Sequence, residues 1–203
     1  LAANAGIDIV PVVRIPATEY HFAARVMDAG AMGLKVPMVH DAAQAQAIVD
    51  ACKYPPVGKR GAGFSIAHDD YAPGDVAETM PRANEHGLVI AQIESPEGVA
   101  NAREIAAVEG IDVLWIGHFD LSNLMGIPAQ FDHPDFQAAV DTVLEACEQE
   151  GKAAGQLGAT AEDCEKLLDR GFRAVACGLD LDLYRRSLTA GIEQIRRHRV
   201  FET

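Results

Sequence analysis

Leu88-Val89-Ile90-Ala91-Gln92-Ile93-Glu94 is an almost unbroken apolar run, entered from Gly87 and left at Ser95-Pro96. A run of this kind and length reads as a strand buried on both faces, as strands are in a parallel sheet under helices. Its last residues change character. By the two-residue period of a strand, Gln92 and Glu94 share one side, so an amide and a carboxylate point the same way at the carboxyl end. In parallel α/β proteins that end is where ligands bind. Taken alone, the run is explained equally well by a solvated Glu at the start of a loop, so the rest of the chain must decide.

Working outward, one pattern recurs: an amphipathic helix, a glycine suited to a left-handed cap, then an apolar strand. It begins as a helix tail, Leu1 to Ala5, closed by Gly6 and followed by an expected strand Ile7 to Ile15. Thr18 is placed to cap the next helix, which Gly30 ends before a strand over Leu34 to Val39. Asp41 caps a helix bearing Ile48, Val49 and Cys52, and a long irregular connection, Val57 to Pro73, follows. A helix from about Asp75 to Glu85, interrupted by Pro81, leads through Gly87 into the opening run. Beyond it, Ser95-Pro96 caps a helix through Val108, Gly110 precedes a strand Val113 to Ile116, and Gly117 to His133 is a second long connection. A helix from Pro134 to Gly151, a strand Ala153 to Leu157, a helix from Thr160 to Gly171, a strand Phe172 to Cys177 and a closing amphipathic helix Leu181 to Arg197 complete the chain.

Strands alternating with helices predict an α/β fold with a parallel sheet and right-handed crossovers. Two architectures satisfy this: an open doubly wound sheet, or a (β/α)8 TIM barrel whose first two strands are absent from the chain. The opening on a helix tail favours the barrel, a single domain over residues 1–203 that is incomplete at its N-terminus. The natural protein is then expected to begin roughly 50 residues upstream of Leu1.

The formal charge of −13 argues against nucleic acid and against anionic membranes as partners. No apolar segment approaches the length of a membrane span. Cys52, Cys147, Cys164 and Cys177 show no C-x-x-C spacing and read as reduced thiols of a cytoplasmic protein.

Where strands end, the candidates for chemistry are Arg14, Lys35, His40, Gln92, Glu94, His118 and Asp120. Carboxylates from adjacent strands, Glu94 and Asp120, suit a hard divalent cation such as Mg²⁺ or Mn²⁺. Asp120 alone would serve equally as a cap for the turn at Leu121-Ser122-Asn123. Arg14 offers a fork of donors for a carboxylate or enolate oxygen, or a structural ion pair at the rim. The amides at Phe119 and Asp120 open a short helical turn suited to a substrate carboxylate. Together these groups describe a seat for a 2-oxo acid.

Several stretches in order carry a family likeness: Val12-Val13-Arg14-Ile15-Pro16, Asp28-Ala29-Gly30-Ala31, Val36-Pro37-Met38-Val39, Tyr54-Pro55-Pro56-Val57-Gly58-Lys59-Arg60-Gly61, Gln92-Ile93-Glu94, Val108-Glu109-Gly110-Ile111-Asp112 and Asp120-Leu121-Ser122. The chain resembles, nearly end to end, the HpcH/HpaI aldolases, class II pyruvate aldolases of the phosphoenolpyruvate/pyruvate barrel superfamily. That resemblance implies a carbon-carbon lyase cleaving a 4-hydroxy-2-oxo acid to pyruvate and an aldehyde through a metal-bound enolate. It implies Glu94 and Asp120 as ligands of Mg²⁺ or Mn²⁺, with Co²⁺ or Zn²⁺ as further candidates. It implies Gln92 and the Phe119 amide as substrate contacts, Asp120 beside them, Arg14 as the enolate stabiliser and Asp28 as a group raising the basicity of the catalytic His.

That His, in a D-x-E-H segment after the family's second strand, has no counterpart here and is expected upstream of Leu1. The family's G-P-A-D is Gly117-His118-Phe119-Asp120 in this chain, so Phe119 narrows the pocket and His118 adds a titratable group, read as packing rather than as a base. His68 is either a residue tuning the aldehyde side or part of an exposed loop. The resemblance also implies a homo-oligomer, a hexamer with the helix over residues 181–198 packed on a neighbouring subunit. Two alternatives stand beside the aldolase: a CoA-thioester lyase of the citrate lyase β type, which the acidic surface disfavours, and a non-catalytic barrel that binds 2-oxo acids.

Overall fold

The computed structural model describes residues 9–72 and 74–198. The expected helix tail and the first two residues of the expected strand at Ile7, together with Pro73, lie outside the described residues. Six strands form one sheet: β1 (Val12–Arg14), β2 (Gly33–Val36), β3 (Leu88–Ile93), β4 (Val113–Ile116), β5 (Ala153–Gly158) and β6 (Ala174–Cys177). All neighbours are parallel and the order is strictly sequential, β1-β2-β3-β4-β5-β6.

The helices are α1 (Tyr20–Asp28), α2 (Ala42–Cys52), α3 (Val76–His86), α4 (Pro96–Ala100), α5 (Ala102–Ala106), α6 (His118–Leu124), α7 (Pro134–Gln149), α8 (Ala161–Arg170) and α9 (Asp180–Arg196). Side-chain alternation decides between the two expected architectures. Val89, Ala91, Ile93, Leu114, Ile116, Leu34 and Val36 pack with Met27, Ile48, Val49, Ile105, Phe136 and Val143 from the helices. The opposite face carries a cluster built from strand residues alone: Ile90, Val113 and Trp115, with Leu88, Ala153, Leu157, Ala174 and Ala176 against them. Helices on one face and sequential strand order are the winding of a (β/α) barrel, whereas a doubly wound sheet covers both faces and reverses its order. The sheet is therefore a barrel arc of six strands, with β1 and β6 as its edges.

Local chemistry explains most boundaries. Asp41 accepts the Gln44 N–H at 2.7 Å, Ser95 accepts the Gly98 N–H at 3.1 Å, and Thr160 with Asp163 forms a capping box at α8. Gly30, Gly110, Gly151 and Gly171 have positive φ, the left-handed turn that ends a helix without steric cost.

Several expectations are corrected. Gly87 has φ −78° and is not a left-handed cap. Glu19, not Thr18, precedes α1, and it forms no side-chain cap. The helix after Ser95 breaks at Asn101 into α4 and α5. Pro81 lies inside α3, which buries none of its residues. The second strand stops at Val36 because Met38 takes a left-handed φ of 55°. The short helical turn expected within the connection Gly117 to His133 is present, as α6 over residues 118–124.

Candidate active site

The barrel register aligns the side chains. Arg14 pairs with Lys35, Lys35 with Ile90 and Ile90 with Val113, while Gln92 pairs with Trp115 and Trp115 with Gly155 one step nearer the carboxyl end. Register partners point the same way, so Arg14, Lys35, Gln92 and Trp115 share the helix-free inner face. Glu94 follows Gln92 on that side, just beyond β3, and is only 1% exposed.

Glu94 is held from two directions. Its Oε2 accepts the Met38 N–H at 2.9 Å, a bond aimed by the left-handed backbone of Met38, and its Oε1 accepts from the Gln92 side-chain amide. Non-glycine residues adopt that conformation at a cost of about 1 kcal/mol, and such strain concentrates at functional sites. Just beyond β4, Gly117 closes over the carboxylate. A Cβ there would lie 2.5 Å from Glu94 Cγ and 2.8 Å from Gln92 Nε2, so the approach requires glycine.

Burial pushes the Glu94 carboxyl up from its ordinary range, opposed by the Met38 N–H, and the neighbouring Asp120 charge raises it further. Asp120 is exposed in the first turn of α6, whose N-cap is Gly117; it does not cap the helix itself. Two neighbouring carboxylates, beside a buried Gln92 Oε1 that has no hydrogen-bond partner, form an oxygen-rich donor set. That set fits a hard divalent cation that draws its remaining ligands from water or substrate. Among the described residues no group of three His, Cys, Asp or Glu side chains is arranged to hold a metal by itself.

Lys35 completes the inner face. Its ammonium lies 3.7 Å from the centre of the Trp115 ring, and burial together with the Arg14 charge pushes its pKa down to about 8 against the opposing pull of Glu94. His118 is held below its usual range by burial and by Lys35. Its ring packs 4.6 Å from Phe119 and edge-on to Phe131 at 5.0 Å. Phe119 itself is 60% exposed, with its ring against Phe131 rather than across the carboxylates.

Arg14, Gln92, Glu94, Phe119 and Asp120 thus gather at the carboxyl end of the sheet. Asp28 does not. It is the last residue of α1 and accepts from Arg60 at 2.6 Å, at the amino-terminal end of the sheet, because a helix that leads into a strand delivers its C-terminus to that side. His68 is also at that end: it bonds the Tyr54 hydroxyl at 3.2 Å and lines a cavity with Arg60, Arg82 and Gly87, so in this chain it faces away from the carboxylates. His40 is tied into helix starts, its Nδ1 2.8 Å from Ser95 Oγ. The residues that strand-end reasoning undervalued are Lys35 and Met38. An isolated cation inside Gly33-Leu34-Lys35-Val36 was the available sign for the first; the second acts through its backbone and leaves none.

Comparison with known proteins gives the family. The sequence model of the family described as HpcH/HpaI aldolase/citrate lyase matches residues 1–187. The chain belongs to that family. It is 40% identical over 178 residues to a hydroxypyruvate/pyruvate aldolase of Pseudomonas aeruginosa, an alignment covering 88% of this chain and 66% of that relative, so the chain spans just under two thirds of its length. It is 34% identical to a 5-keto-4-deoxy-D-glucarate aldolase of Shigella boydii, covering 91% of this chain and 71% of that one. Among solved structures, an HpcH/HpaI aldolase from Desulfitobacterium hafniense superposes with a TM-score of 0.90 at 29% identity, over 97% of this chain and 76% of that one. Membership makes the one-faced winding intelligible: six strands in barrel order correspond to most of a longer relative.

Proposed function

We propose that this protein is a metal-dependent aldolase that reversibly cleaves a 4-hydroxy-2-oxo acid to pyruvate and an aldehyde. The observation that carries this is Glu94, a buried carboxylate held by the Met38 N–H and the Gln92 amide at a barrel mouth that also holds Asp120 and Arg14. Glu94 and Asp120 would hold the divalent cation, Mg²⁺ or Mn²⁺, with Co²⁺ and Zn²⁺ compatible with the same oxygen donors. When bound, the ion supplies Lewis acidity toward the two oxygens of a 2-oxo acid.

The protein's own groups do the rest. Gln92 positions Glu94 and offers a free amide oxygen toward substrate. The Phe119 amide, in a first helical turn where N–H groups have no intrahelical acceptor, receives the substrate carboxylate beside Asp120. Arg14 faces the C2 oxygen. As the 4-hydroxyl gives up its proton, the C3–C4 bond breaks, its electron pair enters the pyruvate enolate and the aldehyde departs. The guanidinium stabilises that oxygen. With the His118 ring committed to Phe119 and Phe131, the proton passes to a base outside the described residues.

The test is pyruvate release from a panel of 4-hydroxy-2-oxo acids with Mg²⁺ or Mn²⁺, followed by coupled lactate dehydrogenase. Release that a chelator stops and that Glu94→Ala loses is the expected result; a folded Glu94→Ala as active as the parent overturns it. Metal-dependent exchange of the pyruvate C3 protons separates an aldolase from a barrel that only binds 2-oxo acids.

We further propose a homo-oligomer, a hexamer by family resemblance. No residue of α9 is buried, and Leu181, Leu188, Ile192 and Ile195 are exposed along it, as a helix that packs on a neighbouring subunit would require. Leu188→Glu should lower the mass measured by light scattering. No described helix is long and apolar enough to cross a membrane, and the four free thiols favour the reducing cytoplasm.

A further inference from the structure

Arg14 and Lys35 are register partners on adjacent strands, so their side chains leave the sheet side by side on the inner face. Like charges placed directly opposite in a sheet are destabilising. Neither has a carboxylate within ion-pair distance among the described residues, since Glu94 is engaged by the Met38 N–H and the Gln92 amide. Arg14 is exposed and Lys35 half-buried, and the cations that are fully buried are held differently. Lys53 donates to the Asn84 and Gly87 carbonyls, and Arg60 is paired with Asp28.

The face of Trp115, 3.7 Å from the Lys35 ammonium, fixes the position of that charge without neutralising it. Two adjacent cations left without anions and turned toward a carboxylate site amount to a seat for an anion that arrives from outside.

We propose that Lys35 is a substrate-contacting residue that, with Arg14, binds the anionic C2 oxygen of the enolate formed from a 2-oxo acid. This rests on the aldolase function proposed above and adds a second cation to it. Because the charge develops only as the bond breaks, Lys35 contributes more to the transition state than to bound substrate. Oxalate carries an anionic oxygen where pyruvate carries a neutral carbonyl, so the two ligands separate this role from a structural one.

The experiment is calorimetric titration of oxalate and of pyruvate, with Mg²⁺ present, into the parent, Lys35→Met and Lys35→Arg proteins, alongside kcat and KM for cleavage. Lys35→Met is expected to weaken oxalate by about tenfold or more while changing pyruvate less than about threefold, and to lower kcat more than it raises KM. Lys35→Arg should restore oxalate binding. Should Lys35→Met lose its fold by circular dichroism, Lys35→Gln takes its place. A parent that binds both ligands, beside a Lys35→Met whose oxalate affinity is unchanged or falls equally with that for pyruvate, overturns the role of Lys35 and leaves the aldolase standing. A parent that binds neither ligand overturns both.

Discussion

At the amino-terminal end of the sheet the buried cations Lys53 and Arg60 each lie beside a carboxylate, whereas at the carboxyl-terminal end Arg14 stands beside Lys35 and Asp120 beside Glu94. Lys53 and Lys35 make the contrast plain, since burial lowers the pKa of both. Lys53, 4% exposed, donates to the carbonyls of Asn84 and Gly87 and lies 3.9 Å from Asp112, whose carboxylate in turn accepts the Val89 N–H at 2.7 Å. Asn84 also exchanges two bonds with the Tyr54 backbone, so the start of β3 and the segment after α2 are locked together. Lys35 has an aromatic face and a repelling neighbour. A buried charge satisfied on every side holds structure together, and a site meant for a ligand must leave some of that satisfaction to the ligand.

Four substitutions test whether that division holds, beginning with the largest effect. Glu94→Gln should cut pyruvate release by about 100-fold or more while leaving the melting temperature unchanged or raised, because a buried carboxylate is lost. Calorimetric titration of Mg²⁺ into the same variant should show weakened binding. Lys53→Met should do the converse. It strands two carbonyls and unbalances Asp112, costing about 3 kcal/mol in urea-induced unfolding, with turnover per folded molecule unchanged. If turnover fell instead, the two ends of the sheet would not be separable.

Gly117→Ala probes the mouth more gently. The added methyl would meet the pinned Glu94 and Gln92 side chains, so activity should drop about tenfold and the melting temperature should fall with it, measured as kcat/KM beside thermal unfolding. The smallest effect concerns pH at the other end. Burial and the Arg60 charge hold His68 below its ordinary value, so as pH falls the unfolded chain takes up the proton first. Stability should therefore decline as the pH drops below about 6.5, and His68→Gln should flatten that decline in unfolding curves collected across the range.

Relatively little of the mouth was hidden from the sequence. Gln92 and Glu94 sit where a two-residue period and a terminal Ser-Pro put them, and Arg14 and Asp120 follow from strand ends. Asp28, matched by motif, lies on the far side of the barrel, where a helix-end residue that precedes a strand belongs. Only the path of the chain, ending α1 at the amino-terminal end of the sheet, separates Asp28 from Glu94. Lys35 was visible as an isolated cation in an apolar strand, but whether it met an anion or another cation depended on which residue of β1 stood in register with it.

The sequence by itself determined the alternation of helices and strands, the caps at Asp41, Ser95 and Thr160, and the polar ends of the strands, because these arise from contacts between residues a few positions apart. Tertiary structure alone decided that every helix packing on the sheet covers the same face, that Met38 lends its backbone to Glu94 across 56 positions, and that Arg14 stands beside Lys35. Those facts depend on strand order and register, which are set by the packing of the whole sheet rather than by any local stretch.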